Sequence, residues 1–261
     1  MATNVDELQL RELLLSHTVT ETAEILGVSK STIDRAKKIY GITRSYTQLL
    51  DRIELTEHEE NIVYGTVLGD GHLESRSKEY NPYLRIEHGS KQKSYVLWKY
   101  HQLKRLTSRK GIKCSKAKNS WYFQTKCLLD FKRIDNLFYP DGEKVLPSNF
   151  ECFINKMSLA VWYLDDGTKS QKQNACALTV QGYSDLDIGR IIGTLKSKFG
   201  YECKPIIRFD KKYSKPTTNI RFTSDGTRKF LTDISPCVYE IEDMRYKLYP
   251  CNDYVRTTLA D

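Results

Sequence analysis

The sequence predicts an α+β fold: a pseudo-twofold tandem of two αββαββα halves, preceded by a small all-α segment. Three observations predict it. Two apolar stretches, 63–71 and 159–167, each end in Asp-Gly, and Asp70 and Asp166 lie 96 residues apart. Each is followed by a similar series of short alternating stretches and helix-period stretches. The first residues stand outside this repeat and read as helices alone. The expected division is 1–44 for the helical segment, 45–145 for the first half and 146–261 for the second.

The elements follow in order. In 7–42, Leu8, Leu10, Leu13, Leu14 and Leu15 cluster at helical spacing. Next, Thr20 is expected to cap a short helix that turns Ala23, Ile25 and Leu26 inward, Gly27 permits a turn with positive φ, and Ser29 caps another helix. Val28, Ile33 and Ala36 would face inward, leaving Ser31, Thr32, Arg35 and Lys38 outward, as a DNA-reading helix-turn-helix requires. The competing reading is a helical hairpin used only for packing. Residues 43–50 read as a linker. In the first repeat, strands are expected near 72–75, 82–88, 112–116 and 120–125, with helices near 91–107 and 127–137. In the second, strands are expected near 168–171, 175–181, 202–208 and 218–224, with helices near 184–198 and 226–233. Alternation in Tyr83-Leu84-Arg85-Ile86-Glu87 and Ile220-Arg221-Phe222-Thr223 supports the strands.

Composition bounds the function. The 261 residues carry a net charge of +8, with 39% hydrophobic and 28% charged residues, which is globular. No apolar run approaches the ~18 residues of a membrane span, and the first residues lack the basic-then-apolar pattern of a secretion signal. An intracellular protein is expected, in cytoplasm, nucleoid or an organelle matrix, with no membrane partner. Seven scattered cysteines without a Cys-x-x-Cys pair give neither a zinc knuckle nor a disulfide framework. Charge is uneven: 75–133 hold 16 basic and 3 acidic residues, and 196–229 hold 10 and 3. Both blocks are interleaved with aromatics, the footprint of a nucleic-acid partner. One such block would be read as a solvated face; two at matching places in a repeat are harder to dismiss.

The two Asp-Gly stretches carry the chemistry. Val63, Tyr64, Val67 and Leu68 cover nearly all sides of a helix, as do Leu159, Ala160, Val161, Trp162 and Leu164, so both helices must be buried. Gly65 and Gly69, four apart, leave a groove for another helix, and the simplest occupant is the equivalent helix of the other half. Pairing them would bring Asp70 and Asp166 to one spot. A carboxylate at a helix C-terminus meets the negative end of the macrodipole, and two of them repel. Something positive must sit there, and a divalent metal is the obvious candidate. A lone Asp-Gly would be a helix-ending turn; the repeated pair is specific.

These motifs, Val63-Tyr64-Gly65-Thr66-Val67-Leu68-Gly69-Asp70-Gly71 and Leu159-Ala160-Val161-Trp162-Tyr163-Leu164-Asp165-Asp166-Gly167, resemble the LAGLIDADG homing endonuclease family in its single-chain, two-motif form. The resemblance covers about 55–250, leaving the N-terminal segment as an added module. It implies paired motif helices between the halves, a β-saddle in the major groove of a long duplex DNA site, a monomer, and one strand cut by the last acidic residue of each motif. Mg²⁺ would be the cofactor, with Mn²⁺ able to substitute and Ca²⁺ supporting binding without cleavage. Asp70 and Asp166 would hold metal, and the backbone carbonyls of Gly69 and Asp165 could reach it. The Asp165 side chain, whose counterpart is Gly69, would be structural. Gln181 would be an accessory group near the attacking water, with His88 at the matching place in the first half. Lys126 could face the scissile phosphate, with Lys215 or Lys229 as its partner; the alternative for each lysine is a plain phosphate contact. Ser75, Arg76, Lys78, Tyr83, Arg85, His88, Lys116 and Lys118, and in the second half Lys169, Gln171, Lys172, Arg208, Lys211 and Arg221, would contact DNA.

Three rival readings remain at this level. A non-cleaving regulator of the same fold would have lost the acidic pair, which is present here. An intron RNA maturase would read A-form shape, with host RNA as an additional partner. A different nuclease fold could use Glu202-Cys203-Lys204 with Asp185, but it explains neither the repeat nor Asp70. The five histidines suggest no His-Asn-His metal site.

Overall fold

A computed structural model describes residues 5–42, 53–75, 80–107, 110–170, 172–210 and 215–248. Residues 5–42 form α1 (Glu7–Ser16), α2 (Val19–Ile25) and α3 (Lys30–Ile39) around a small core of Val5, Leu10, Leu14, Ala23, Ile33 and Ala36. Gly27 adopts φ +64° and Ser29 caps α3 by accepting from the Thr32 N–H, as expected. Two details differ. The cap of α2 is Thr18, not Thr20: its hydroxyl accepts from the Glu21 N–H while Glu21 reaches back to the Thr18 N–H, a reciprocal pair that a cap at Thr20 would lack. Leu8 and Ile25 are solvent-exposed, because the short helices bury only a narrow stripe.

The repeat is as read. The first half runs α4 (Glu57–Leu68), β1 (His72–Glu74), β2 (Tyr83–Gly89), α5 (Lys93–Gln102), β3 (Lys113–Ser115), β4 (Ser120–Gln124) and α6 (Leu129–Phe138). A short α7 (Phe150–Phe153) leads into the second half. There follow α8 (Lys156–Asp166), β5 (Gly167–Lys169), β6 (Cys176–Thr179), α9 (Asp185–Phe199), β7 (Cys203–Asp210), β8 (Lys215–Phe222), α10 (Ser224–Tyr239) and a 3-10 turn, Glu242–Lys247. Helix α10 outruns its expected end at 233 because Ile234, Cys237 and Val238 prolong its buried stripe past Pro236.

Among the described residues, each half contributes one antiparallel four-stranded sheet, ordered β1-β2-β4-β3 and β5-β6-β8-β7. Alternation sets the faces: in β2, Leu84, Ile86 and His88 point inward and Tyr83, Arg85 and Glu87 outward. A single apolar core runs through both halves, with α4 and α8 at its centre.

Candidate active site

Helices α4 and α8 begin with capping boxes, Thr56 with Glu59 and Asn155 with Ser158. They lie side by side, and glycine makes that possible. A Cβ on Gly65 would stand 2.4 Å from the Ser158 carbonyl oxygen and 2.7 Å from Val161 Cβ; one on Gly69 would stand 2.5 Å from Asp165 Cβ. The groove expected from the glycine spacing is therefore filled by the partner helix.

Each helix end carries a lysine, half-buried at Lys144 and buried at Lys247. Lys144, between α6 and α7, donates from Nζ to the carbonyls of Leu68 (2.9 Å) and Gly69 (3.3 Å) at the end of α4. Lys247, in the closing 3-10 turn, donates to the carbonyls of Tyr163 (3.2 Å), Leu164 (2.5 Å) and Asp165 (3.3 Å) at the end of α8. A cation on the last carbonyls complements the helix dipole. Part of the positive charge that the aspartates demand thus comes from the protein itself. Burial drives both lysines below their ordinary range, Lys247 to about 8.

The aspartates respond in the opposite sense. Burial, then the charges of Asp70 and Asp165, push Asp166 up to about 7; burial and Asp165 raise Asp70. The lysines oppose these shifts without cancelling them. Exposed Asp70 and half-buried Asp166 present carboxylate oxygens beside the backbone carbonyls of the helix ends, a set of oxygen donors that suits a hard divalent cation. The Asp70, Asp165 and His88 ligand atoms also lie within 4.8 Å of one another. That trio fits a cation less well, because Asp165 already accepts two contacts from Lys99 Nζ, at 2.9 and 3.0 Å, and one from Tyr95 OH at 2.8 Å.

The model of the LAGLIDADG DNA endonuclease family matches residues 60–230, which contain both motifs and both sheets. The chain belongs to the LAGLIDADG DNA endonuclease family. It is 25% identical over 167 residues to DNA endonuclease I-ChuI of Chlamydomonas applanata, covering 58% of this chain and 77% of the relative. It is 26% identical over 210 residues to protein RecA of Mycobacterium gastri, covering 75% of this chain. The chain spans only about half (48%) of that relative's length. Its fold is similar to that of the homing endonuclease I-WcaI bound to its DNA recognition sequence, with TM-score 0.64 and 21% identity over 81% of this chain and 96% of that one.

The LAGLIDADG scaffold brings some of the expected residues together and not others. Asp70 and Asp166 converge at the paired helix ends, with the Gly69 and Asp165 carbonyls engaged by Lys144 and Lys247. The Asp165 side chain is fully buried. His88 is buried rather than turned to the open face: its Nε2 is 3.6 Å from Asp165, and burial lowers its pKa to about 4, so it is neutral near neutral pH. Gln181 is exposed just past β6. Lys126 is not at the site. Thr125 pairs with Leu84, toward the end of β2 away from His88, and Lys126 is buried 3.7 Å from Glu21 of α2. Lys215 begins β8 opposite Asp210, five positions from Ile220, which is level with Gly167. At ~3.3 Å per residue that is roughly 16 Å along the strand. Register along the sheet, invisible in the sequence, decides both lysines.

The DNA-contact candidates divide similarly. Tyr83 and Arg85 occupy the open face of the first sheet, where Arg85 pairs with Glu87 and lies over the Tyr122 ring. Lys116 and Lys118 are exposed in the β3–β4 turn, and Ser75 is exposed after β1. In the second sheet Arg221 donates to Gln173 and Lys169 to the Ser170 and Gln173 carbonyls, while Lys172 is exposed. Arg76, Lys78, Gln171 and Lys211, and the side chains of Arg208 and Lys215, lie outside the described residues. Ser31, Arg35 and Lys38 are exposed on α3 and Thr32 is half-buried.

Lys144 and Lys247 were not found by sequence reasoning, although a signal existed. Lys144-Val145-Leu146-Pro147 and Lys247-Leu248-Tyr249-Pro250 place the same Lys-x-x-Pro pattern late in each half.

Proposed function

We propose that the chain is a site-specific endonuclease that makes a double-strand break in a long duplex DNA target, one motif aspartate serving each strand. The convergence of Asp70 and Asp166 at the ends of two paired helices, between two open-faced sheets, carries this reading. Asp70 and Asp166 would hold Mg²⁺, which when bound supplies charge neutralisation at the phosphate and an acidified water. The protein's own groups do the rest. Lys144 and Lys247 fix the helix ends and hold positive charge beside the two motif carboxylates. Tyr83, Arg85, Arg221 and the exposed lysines of the sheets would position phosphates and read base edges. Exposed Ser31, Arg35 and Lys38 of α3 would add contacts beyond the saddle, a helix-turn-helix role for the N-terminal unit. Intact motif aspartates favour cleavage over a non-cleaving regulator.

The test is digestion of a randomised duplex library in Mg²⁺, with Ca²⁺ as a binding control and Asp70→Asn and Asp166→Asn alongside. Site-specific double-strand cuts that become single-strand nicks in either variant are expected. Tight specific binding without any cut, unchanged by both substitutions, would leave a DNA-binding regulator instead.

A further inference from the structure

Asp165 is the residue before Asp166, yet its carboxylate is spent inside the protein. Lys99, fully buried on α5, brings Nζ within 2.9 and 3.0 Å of its two oxygens. Tyr95 OH, one turn earlier on α5, donates at 2.8 Å. On its other side, Asp165 Oδ2 accepts the backbone N–H of Asp70 at 3.4 Å. Lys99, Tyr95 and Asp70 belong to the first half and Asp165 to the second. The contacts therefore leave the first half, cross the helix interface and return to the main chain of Asp70. Among the described residues Asp166 receives no mirror-image contact, because the position matching Asp165 is Gly69, which has no side chain to offer. Gly69 also makes the room: its missing Cβ would stand 2.7 Å from Asp165 Oδ2. Lys99 and Tyr95 satisfy the buried Asp165 carboxylate, as a polar group out of water requires.

We propose that Lys99 and Tyr95 are positioning residues that act through Asp165 to hold the backbone of Asp70, so that the first reactive carboxylate is set from the opposite half while Asp166 is set by its own helix. The strand-specific consequence rests on the cleavage reading above; the structural one does not.

The test has two arms. In the metal-free protein, amide hydrogen exchange is followed at Asp70, with the helix-end amide of Gly167, bonded to the Tyr163 carbonyl, as internal reference. The double variant Lys99→Met/Asp165→Leu replaces the buried pair by apolar groups. It is expected to speed exchange at Asp70 by about tenfold and leave Gly167 unchanged, since a lost hydrogen bond exposes only its own donor. Tyr95→Phe keeps the ring, removes one donor, and carries the test if the double variant does not fold. In the second arm, a duplex target labelled on both strands is cut in Mg²⁺. Both variants are expected to slow the strand that Asp70→Asn stops, by roughly five- to hundredfold relative to the other strand, because small misplacements of a reacting group are costly. Lys99→Arg, which keeps the charge, is expected to recover part of that rate. Unchanged exchange at Asp70, or equal slowing of both strands with equal exposure of both amides, would overturn the proposal. Failure of the unsubstituted protein to cut any target would sink the endonuclease reading while the exchange result still decided the positioning role.

Discussion

The two halves share a topology and differ in what they bring to their common interface. The first half contributes backbone: Gly65 on α4 and Gly69 at its end let α8 come within touching distance. The second contributes side chains into that space, Val161 and Asp165 at the matching positions. The open faces differ as well. Near its centre the first sheet carries Glu87, held by Ser120 Oγ at 2.6 Å and by Arg85. The second sheet carries a neutral pair, Thr179 with Asn219 at 3.0 Å. The outer strands also differ in reach: β3 pairs with β4 over three residues, while β7 and β8 run together for eight. Once both halves lie in one chain, each interface position needs only one partner to yield. The pseudo-symmetry survives in the backbone and is lost in the chemistry.

The largest expected effect breaks the comparison at its shared feature. Asp70→Asn and Asp166→Asn should each cost at least about a hundredfold in cleavage of one strand, measured on end-labelled duplex, because on the proposed reading each removes an anionic ligand for the metal. If both strands fall together in either variant, the halves do not act separately.

Next come the helix-end lysines. Lys144→Met and Lys247→Met should slow cleavage by roughly 10²–10³-fold while Ca²⁺-supported DNA binding is retained, because each removes a fixed positive charge beside a motif aspartate. Near-wild-type single-turnover rates would confine these lysines to helix capping.

The third contrast is between backbone room and side-chain filling. Gly65→Leu should destabilise the protein by about 3 kcal/mol or more in urea unfolding, because the added atoms meet the Ser158 carbonyl and cannot be relieved by a rotamer change. Val161→Ala, across the same contact, leaves a cavity and should cost only about 1–2.5 kcal/mol. The reverse order would mean that the helices can separate freely.

The smallest effect is in pH dependence. The hydrogen bond from Ser120 and then the Arg85 pairing hold Glu87 well below its ordinary value of 4.5, at about 2. A depressed carboxylate adds stability that is fully present above its unfolded value and is lost as pH falls through the folded one. The stability difference between wild type and Glu87→Gln should therefore shrink as pH is lowered from about 4.5 to about 2, read from thermal melts. Thr179→Val, in the second sheet, should change stability without any such pH dependence.

Much of this was legible in the chain. The repeat, the strand and helix order, the burial of α4 and α8 and the use of Gly65 and Gly69 follow from local pattern, because periodicity and a missing Cβ act on near neighbours. The need for positive charge at the helix ends was legible too, but not its source. Lys144 and Lys247 reach those ends from segments 74 and 81 residues beyond the aspartates they accompany. Lys126 and Lys215 follow or begin good strands, and only the pairing register shows that both stand away from the helix ends. His88 obeys the alternation of β2 and so turns inward, away from the DNA contact expected of it.

By itself, then, the sequence determined the tandem α+β architecture, the helix pairing and the placement of Asp70 and Asp166 at the two paired helix ends. Each of these depends on the residue types within one or two turns of chain. The tertiary structure alone decided which lysines serve those aspartates, that Asp165 is consumed by Lys99 and Tyr95, and that this consumption is one-sided. Those outcomes depend on which distant segments meet in the buried space between the halves, where an unpaired charge costs far more than it does in water.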